Sequence, residues 1–242
     1  MKKTIILSLV SVFSVLPFTS CKVEVIDKNQ GPIKASTVNA KDFDGIAISY
    51  PAEVTYIPSE TFSVEVKAPE KVKENMIIKV KDGVLQISPQ EMWGKNKRYL
   101  ILNGYSNNNE DVKITVKAPT IKEVSIAGSG DFKCNSTMKT TKLVLSVAGS
   151  GDIDIKNIEA QFVSASIAGS GDIDAGLTKV AKTEASIAGS GDIDMKFSDC
   201  GHVEANLSGS GDIELSGDIK SLSKNIMGSG DFHTDKLRIN RQ

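Results

Sequence analysis

The chain has 242 residues, of which 40% are hydrophobic and 5% aromatic, and its formal net charge at pH 7 is −1. Binding to nucleic acids relies on concentrated lysine and arginine that neutralise phosphates, and the largest basic cluster here is the short run from Lys95 to Arg98. A nucleic-acid partner is therefore not expected, and this run is interpreted as a solvated loop.

The first twenty residues have the pattern of a secretion signal. Two lysines precede an apolar run from Ile5 to Leu16, and small polar residues then lead to Cys21. This ending resembles the lipobox of bacterial lipoproteins, in the loose form of Bacteroidetes, and the apolar run is too short to span a bilayer. We predict a signal peptide over residues 1–20 and lipid attachment at Cys21, with a soluble secreted protein as the alternative. Cleavage removes two of the 29 basic residues and none of the 30 acidic ones, which brings the net charge to about −3.

Residues 21–36 are predicted to be a linker after the lipidated cysteine, and residues 37–120 a β-rich N-terminal half. Short alternating apolar segments recur in this half, separated by prolines and by Asp82-Gly83, which is typical of a hairpin turn. The half is therefore expected to include antiparallel pairing and to cover one end of the repeats that follow. The predicted strands lie at Gly45–Ile48, Ala52–Tyr56, Phe62–Val66, Ile77–Val80, Val84–Ile87 and Val112–Val116.

One long irregular segment interrupts this half between Ser88 and Glu110. It holds Trp93, Arg98, Tyr99 and Tyr105, which include the only tryptophan of the chain. Aromatic and basic side chains on a long loop are a common arrangement for binding, because aromatic faces contribute a large contact area. These four residues are the candidates for ligand binding. The alternative, favoured by the apolar residues that follow, is that the aromatic side chains attach the loop to the core.

The second half of the chain is repetitive. Gly-Ser-Gly-Asp occurs six times from Gly128 onward, and a repeat of about 20 residues over six copies is typical of a solenoid, in which each unit buries its apolar face by stacking on its neighbours. Before one corner Leu143, Leu145 and Val147 alternate with polar residues, and a second alternating run follows the corner. This period of two indicates strands, and no long helical pattern is present. Residues 121–242 are therefore predicted to form Gly-Ser-Gly-Asp repeats of a parallel β-helix, with coils of about 20 residues.

Two further predictions depend on the position of residues within the coils. Lys224 falls at the inward position that alanine holds in the preceding coils, which predicts that charge closes the open strand edge. Cys134 and Cys200 fall about three coils apart, roughly 14 Å at the spacing of strands, beyond the Cα separation that a disulfide allows. Both cysteines are predicted to be free, mostly buried thiols.

The aspartates of the six corners are predicted to form one column along the coils. A hydrogen bond from a corner amide contributes about 1.5–3 kcal/mol, which exceeds the repulsion of about 0.9 kcal/mol between like charges at coil spacing in water. The column therefore needs no ligand, and no cofactor or metal is predicted. The alternative is a calcium site, because a second carboxylate follows two residues later in three coils and calcium favours oxygen-rich sites. The ligands would be Asp152, Asp154, Asp172, Asp174, Asp192 and Asp194.

These features together resemble a bacterial family described as "putative auto-transporter adhesin, head GIN domain", found mainly in envelope proteins of Bacteroidetes. The residues that carry the resemblance are "FDGIAIS" at Phe43–Ser49, "DGVLQIS" at Asp82–Ser88 and the Gly-Ser-Gly-Asp coils. The resemblance covers about residues 37–235, nearly the whole chain after the signal. It implies an all-β fold, a right-handed parallel β-helix preceded by the less regular β-rich half.

The function predicted is adhesion, or the binding of a glycan or a protein, by a protein that its lipid anchors to the cell envelope, at the outer membrane. The side of the membrane that it faces is left open. One alternative is an envelope structural protein. A second is a carbohydrate-active β-helix enzyme, in which two carboxyl groups about 5–9.5 Å apart would act. Catalysis is not predicted, because every coil offers the same acids and the only histidines, His202 and His233, lie in different copies without an apparent third partner for a Ser-His-Asp arrangement.

Overall fold

The computed structural model describes residues 31–90 and 112–240. The only helix among these residues, α1, has five residues, and none is long and apolar enough to cross a membrane. The predicted linker boundary at residue 36 falls inside the first strand, which begins at Ile33. The elements are β1 Ile33–Val38, β2 Gly45–Ile48, β3 Glu53–Pro58, β4 Ser63–Pro69, α1 Glu70–Glu74, β5 Met76–Lys81, β6 Val84–Pro89, β7 Lys113–Ala118, β8 Glu123–Gly128, β9 Asp131–Lys139, β10 Lys142–Gly149, β11 Ile153–Glu159, β12 Phe162–Gly169, β13 Ile173–Thr178, β14 Lys182–Gly189, β15 Ile193–Gly209, β16 Ile213–Gly228, β17 Phe232–His233 and β18 Leu237–Ile239.

Two stacks of parallel strands form the repeats. We call the stack of strands before the Gly-Ser-Gly-Asp corners the leading face, and the stack after them the trailing face. On the leading face β8, β10, β12 and β14 pair in that order and continue into the second half of β15. On the trailing face β9, β11 and β13 continue into the first half of β15. Each step between neighbouring strands is one repeat, so the predicted β-solenoid with coils of about 20 residues is confirmed.

The core fills the space between the two faces. In one coil Leu143, Leu145 and Val147 on the leading face and Ile153 and Ile155 on the trailing face are all buried. The residues between them point outward and are at least partly exposed. Burial of apolar surface stabilises a fold by about 25 cal/mol per Å². Since each coil buries its apolar side chains against those of adjacent coils, the repeats support one another.

The corners require glycine because neighbouring coils stack closely there. Gly169 has a φ of +148°, and a Cβ at this position would lie 2.2 Å from the carbonyl oxygen of Gly149. A Cβ at Gly171 would lie 2.1 Å from the carbonyl oxygen of Gly151 in the same way. The amide of Ser170, between these glycines, donates to the Gly149 carbonyl at 2.8 Å. Each corner is therefore hydrogen-bonded to the corner below it, at a separation that leaves no room for a side chain.

The N-terminal half extends both faces with strands that are stacked out of chain order. On the leading face β2 lies between β6 and β8, and on the trailing face β3 lies between β7 and β9. The chain thus places β2 and β3 first, forms β6 and β7 on their outer side, and then continues with β8 on their inner side. The predicted strands of this half are present. Its arrangement as two more layers of parallel strands is a finding of the structure.

Antiparallel strands cover the N-terminal end of the solenoid, as predicted. β5 pairs with β6, and β4 pairs with β7 and with β1. Asp82 and Gly83 join β5 to β6 with φ angles of +54° and +77°, which is the pattern of a two-residue hairpin turn with both φ values positive. Phe43 and Phe62 pack together nearby with their ring centroids 5.1 Å apart. This end of the structure is therefore closed by strands of different direction.

The two cysteines and Lys224 at the C-terminal end lie as the sequence predicts. Cys134 and Cys200 are both free and buried. Lys224 occupies the register position of Ala205 on the neighbouring strand, as predicted. Apolar side chains remain uncovered at this end, since Ile226 is 44% exposed and Met227 63% exposed.

Candidate functional site

The corner aspartates form the predicted column, and backbone amides hold it together. The amide of Asp172 donates to Oδ1 of Asp152 at 2.9 Å, and the amide of Asp192 donates to Oδ1 of Asp172 at 2.9 Å. The same bond joins Asp152 to Asp131, Asp212 to Asp192, and Asp231 to Asp212, at 2.7–3.2 Å. One oxygen of every carboxylate except the last therefore accepts a hydrogen bond from the next coil. Charge-assisted bonds of this kind offset the repulsion along the column.

A second acidic column runs beside the first on the trailing face. Asp154, Asp174 and Asp194 occupy one register on β11, β13 and β15, and Glu214 follows them on β16. Burial raises the pKa of Asp174, and the neighbouring carboxylates of Asp194 and Asp154 raise it further. Burial and then Glu214 raise the pKa of Asp194. This column lacks the amide bonds of the first, so its like charges are less well compensated.

The acidic columns do not converge on one point. Within residues 31–90 and 112–240, no group of three or more His, Cys, Asp or Glu side chains is placed to hold a metal ion. The calcium alternative therefore stays a prediction without a defined cage. A calcium titration that follows the Tm tests it, because an ion that binds only the folded state raises the Tm.

One polar contact was missed in the sequence. Nδ1 of His202 lies 2.9 Å from Oγ of Ser221 on the next strand of the leading face. The two residues are 19 apart, one coil length, so the repeat itself indicates that they are neighbours. A Ser-His pair needs a third group that orients the imidazole before it resembles a nucleophilic triad, and His202 forms no ion pair with a carboxylate among the described residues. The contact lies on the outer surface.

The outer surface of the leading face repeats two positions in three successive coils. Ser146, Ser166 and Ser186 share one register, and an alanine follows each of them two residues later. A different row lies at the start of these strands, where Nζ of Lys142 and Nζ of Lys182 lie 5.5 Å and 6.0 Å from the ring centroid of Phe162. Cations at this distance from an aromatic ring stabilise the contact. The row therefore has a structural role on this face.

The candidate ligand-binding residues of the sequence lie outside the described residues. They are Trp93, Arg98, Tyr99 and Tyr105, and the predicted lipid-attachment residue Cys21 lies outside as well. The flanks of the loop are described. β6 precedes the loop and β7 follows it, and the carbonyl of Val112 accepts a hydrogen bond from the amide of Glu53 at 3.0 Å. Both flanks therefore belong to the outermost layer of parallel strands, on the side of the Gly-Ser-Gly-Asp corners.

A small cavity lies at the N-terminal end of the solenoid, between β1, β4, α1 and β5. Its volume is about 190 Å³, compared with about 300–1,000 Å³ for pockets that enclose a drug-sized ligand. The lining is mainly apolar, with one serine and one lysine at its edge. The lining residues are Ser36, Val38, Val66, Lys73, Met76 and Ile78. The cavity has room for a short apolar segment only.

Comparison with known proteins places the chain among bacterial adhesin-like proteins. A sequence profile of the family described as "Putative auto-transporter adhesin, head GIN domain" matches residues 42–234. No curated protein matches the chain.

Several solved structures share the fold. One is a "putative adhesin" from Bacteroides fragilis, with 22% identity and a TM-score of 0.63 over 84% of this chain and 96% of the other. A "putative lipid binding protein" from Parabacteroides distasonis has 27% identity and a TM-score of 0.60, with the same coverage of 84% and 96%. A "putative adhesin" from the same species has 19% identity and a TM-score of 0.51 over 84% of this chain and 97% of the other. The near-complete coverage shows that the whole solenoid, with its N-terminal layers, is the shared unit.

Proposed function

Since the chain belongs to the head GIN domain family of auto-transporter adhesin-like proteins, we propose that it is a lipid-anchored protein of the cell envelope that binds a glycan or a protein without catalysis. One observation supports this proposal most directly. The coils offer the same corner aspartates in one column, and three of them repeat the same serine and alanine on the leading face, so the acids of the described residues do not mark one coil as a catalytic cleft. A repeated surface of this kind is suited to extended contact or to spacing.

The proposed anchor is Cys21, which follows the predicted signal peptide. Lipid chains on this cysteine hold a protein at a membrane, and two or more chains are needed for stable attachment. Cells that express the full chain with a radioactive fatty acid should label the wild type and Cys134→Ala, and should not label Cys21→Ser. The Cys21→Ser protein should also move from the membrane fraction to the soluble fraction. Label on Cys21→Ser would exclude this anchor.

The proposed contact is the loop that contains Trp93, Arg98, Tyr99 and Tyr105. A glycan array probed with the wild-type solenoid should give a defined set of signals. Trp93→Ala should weaken these signals by about tenfold, since an aromatic ring contributes about 0.5–1.5 kcal/mol to a contact beyond the area that it buries. Trp93→Phe, which keeps an aromatic face, should retain most of the signal. Unchanged binding by Trp93→Ala would remove the loop from the contact.

The location proposed is the outer membrane, and protease treatment of intact cells tests which side the protein faces. An adhesin must be reachable from outside, so surface exposure predicts cleavage without lysis.

The alternative of an envelope structural protein predicts no array signal from any variant. The enzyme alternative predicts new reducing ends when polysaccharides are incubated with the protein.

A second candidate function is lipid binding, which the cavity between β1, β4 and β5 favours. The relative from Parabacteroides distasonis is described as a "putative lipid binding protein". The cavity of this chain holds about 190 Å³ and is lined by apolar side chains beside Lys73. A fluorescent fatty acid should gain emission on binding to the wild type and lose it with Met76→Trp, which fills the cavity. Equal emission with both proteins would exclude the cavity as the lipid site.

A further inference from the structure

Among the described residues, the last strand of the leading face has one unpaired edge. Residues Ser221–Gly228 of β16 pair with β15 on one side. No strand among residues 31–90 and 112–240 pairs with their other side, since β17 and β18 continue only the trailing face. A free edge of eight residues presents a row of backbone donors and acceptors to solvent. Such an edge is a template for an additional strand.

The inward side chains of this edge form an apolar row with a cation at its centre. Leu222, Lys224 and Ile226 continue the register of Val203, Ala205 and Leu207 on the strand below. Leu222 is partly buried, Ile226 is 44% exposed, and Lys224 is exposed. In the two coils before β15 the central position is again alanine. Only the terminal coil therefore places a charge at this point of the stack.

The charge of Lys224 is not neutralised by an acidic residue of the described part of the chain. Its Nζ lies 5.5 Å from the ring centroid of Phe232. Two other cations of this end are paired, because Lys236 contacts Glu214 at 3.1 Å and Arg238 contacts Asp218 at 2.7 Å. An added strand that carried only apolar residues would bury the Lys224 ammonium without a partner, which is strongly unfavourable. Lys224 thus selects against most strands that the edge would otherwise accept.

A second copy of the chain does not fit this edge. Two copies joined through the same edge about a twofold axis would bring Lys224 close to its own equivalent. At the other end of the solenoid, the outermost strand of the leading face among the described residues is β5, whose inward side chains include Ile78 and Val80. Head-to-tail stacking would therefore set apolar side chains against Lys224 and leave its charge without a partner. Neither arrangement supplies a carboxylate to Lys224, so a partner of opposite charge is required.

We propose that the Ser221–Gly228 edge binds an extended peptide of another protein in which one acidic residue is flanked, two positions away on each side, by an apolar residue. Backbone hydrogen bonds add the peptide as the next strand, its carboxylate pairs with Lys224, and its apolar residues cover Leu222 and Ile226. Because Lys224 is central in the row, the pattern fits a parallel or an antiparallel peptide. The proposal is independent of the loop at the N-terminal end and of the glycan that the loop is proposed to bind.

The test is a charge exchange followed by fluorescence anisotropy. The probe is the labelled peptide Thr-Val-Thr-Glu-Thr-Val-Thr, blocked at both ends, with a matched peptide that carries lysine in place of glutamate. The wild type should prefer the acidic peptide by at least about tenfold. Lys224→Glu should reverse the preference. Lys220→Glu, which makes the same change in net charge at an exposed position of β16 just before the edge, should leave it unchanged.

Two further measurements separate strand addition from simple charge attraction. The acidic peptide with methylated backbone nitrogens at alternate residues should lose binding, because those donors pair with the edge. The wild-type protein should sediment as a monomer. The proposal is overturned if neither peptide binds, if Lys224→Glu does not reverse the preference while its circular dichroism matches the wild type, or if the wild type forms a dimer that occupies this edge.

Discussion

At the scale of the residue, the repeated corner is explained by stacking. The glycines of Gly-Ser-Gly-Asp are fixed by the carbonyls of the coil below, and the aspartate is fixed by the amide of the coil above. The serine between the glycines, for example Ser170, is exposed, and its side chain is not constrained in this way. The most conspicuous sequence motif of the chain therefore maintains the fold, and its repetition is not a sign of repeated binding sites.

The close approach at Gly171 predicts a large effect of a single methyl group. Gly171→Ala should lower the free energy of unfolding by about 1–3 kcal/mol, because a Cβ would contact the Gly151 carbonyl at 2.1 Å and force the two corners apart. Ser170→Ala, in the same corner, should change it by less than about 0.5 kcal/mol. Urea unfolding measures both. Equal stabilities of the two variants would contradict the stacking explanation.

A buried hydroxyl predicts a stabilising substitution. Thr183 is 1% exposed, and its Oγ1 has no hydrogen-bond partner. Its neighbours in register are Val163 and Val203, so Thr183→Val should raise the free energy of unfolding by about 1 kcal/mol.

The matched control for this substitution is Thr178→Val. The hydroxyl of Thr178 donates to Oδ1 of Asn157 at 2.8 Å, so its removal should destabilise the protein by about 1 kcal/mol. Thermal unfolding of both variants gives the comparison. A loss of stability in Thr183→Val would mean that its hydroxyl has a partner.

At the scale of the element, the carboxylates of the acidic column on the trailing face repel one another across neighbouring strands. The pKa of Asp174 is raised, first by burial and then by the neighbouring carboxylates. A carboxyl group whose pKa is higher in the folded state stabilises the fold only below its unfolded pKa, and this contribution is lost as the pH rises through the folded pKa. The column therefore weakens the solenoid at neutral pH.

Asp174→Asn should relieve this repulsion. Its Tm should exceed that of the wild type near pH 7, well above the unfolded pKa, and the gain should disappear near pH 3, below the unfolded pKa. The gain should stay below about 1 kcal/mol, because solvent screens charges that are partly exposed. Melting curves at the two pH values, each at low and high salt, measure it. An equal gain at both pH values would assign the effect to packing instead of charge.

The N-terminal strands show which part of the element level the sequence predicts. The alternation of β2, β6 and β8 identifies each as a strand with one buried side. It does not identify their order, because Ile46 and Ile48, Leu85 and Ile87, and Val124 and Ile126 present nearly the same apolar pair to the core. Strands with equivalent inward surfaces can stack in either order. The repeat length alone predicts that His202 and Ser221 are neighbours. The surroundings of Lys224, in contrast, depend on where the last strands end.

At the scale of the whole molecule, the solenoid has two unlike ends. Antiparallel strands close the N-terminal end, and at the C-terminal end the described residues leave one strand edge unpaired, with Lys224 at its centre. The shared core buries both cysteines of the repeat region along its length. Access to these thiols therefore reports on the integrity of the complete stack.

The buried thiols predict a simple measurement on the whole protein. Cys134 is 1% exposed and Cys200 2% exposed, and burial raises the pKa of the Cys200 thiol, which lowers the fraction of reactive thiolate. A soluble form that begins at residue 22, and so lacks Cys21, should not react with a thiol reagent in its native state. Both thiols should react after unfolding in guanidinium chloride. Rapid reaction of a native thiol would show that the stack opens locally.

The strands, the coil length, the inward residues and the glycines at the corners all follow a short-range period, so they can be predicted from the sequence alone. The acidic columns follow in the same way, since equal coil lengths align equal positions. The order of the N-terminal layers, and the strand edge that the described residues leave unpaired at the other end, emerge only in the folded protein. Both depend on contacts between distant segments with interchangeable apolar faces, for which local patterns carry no preference.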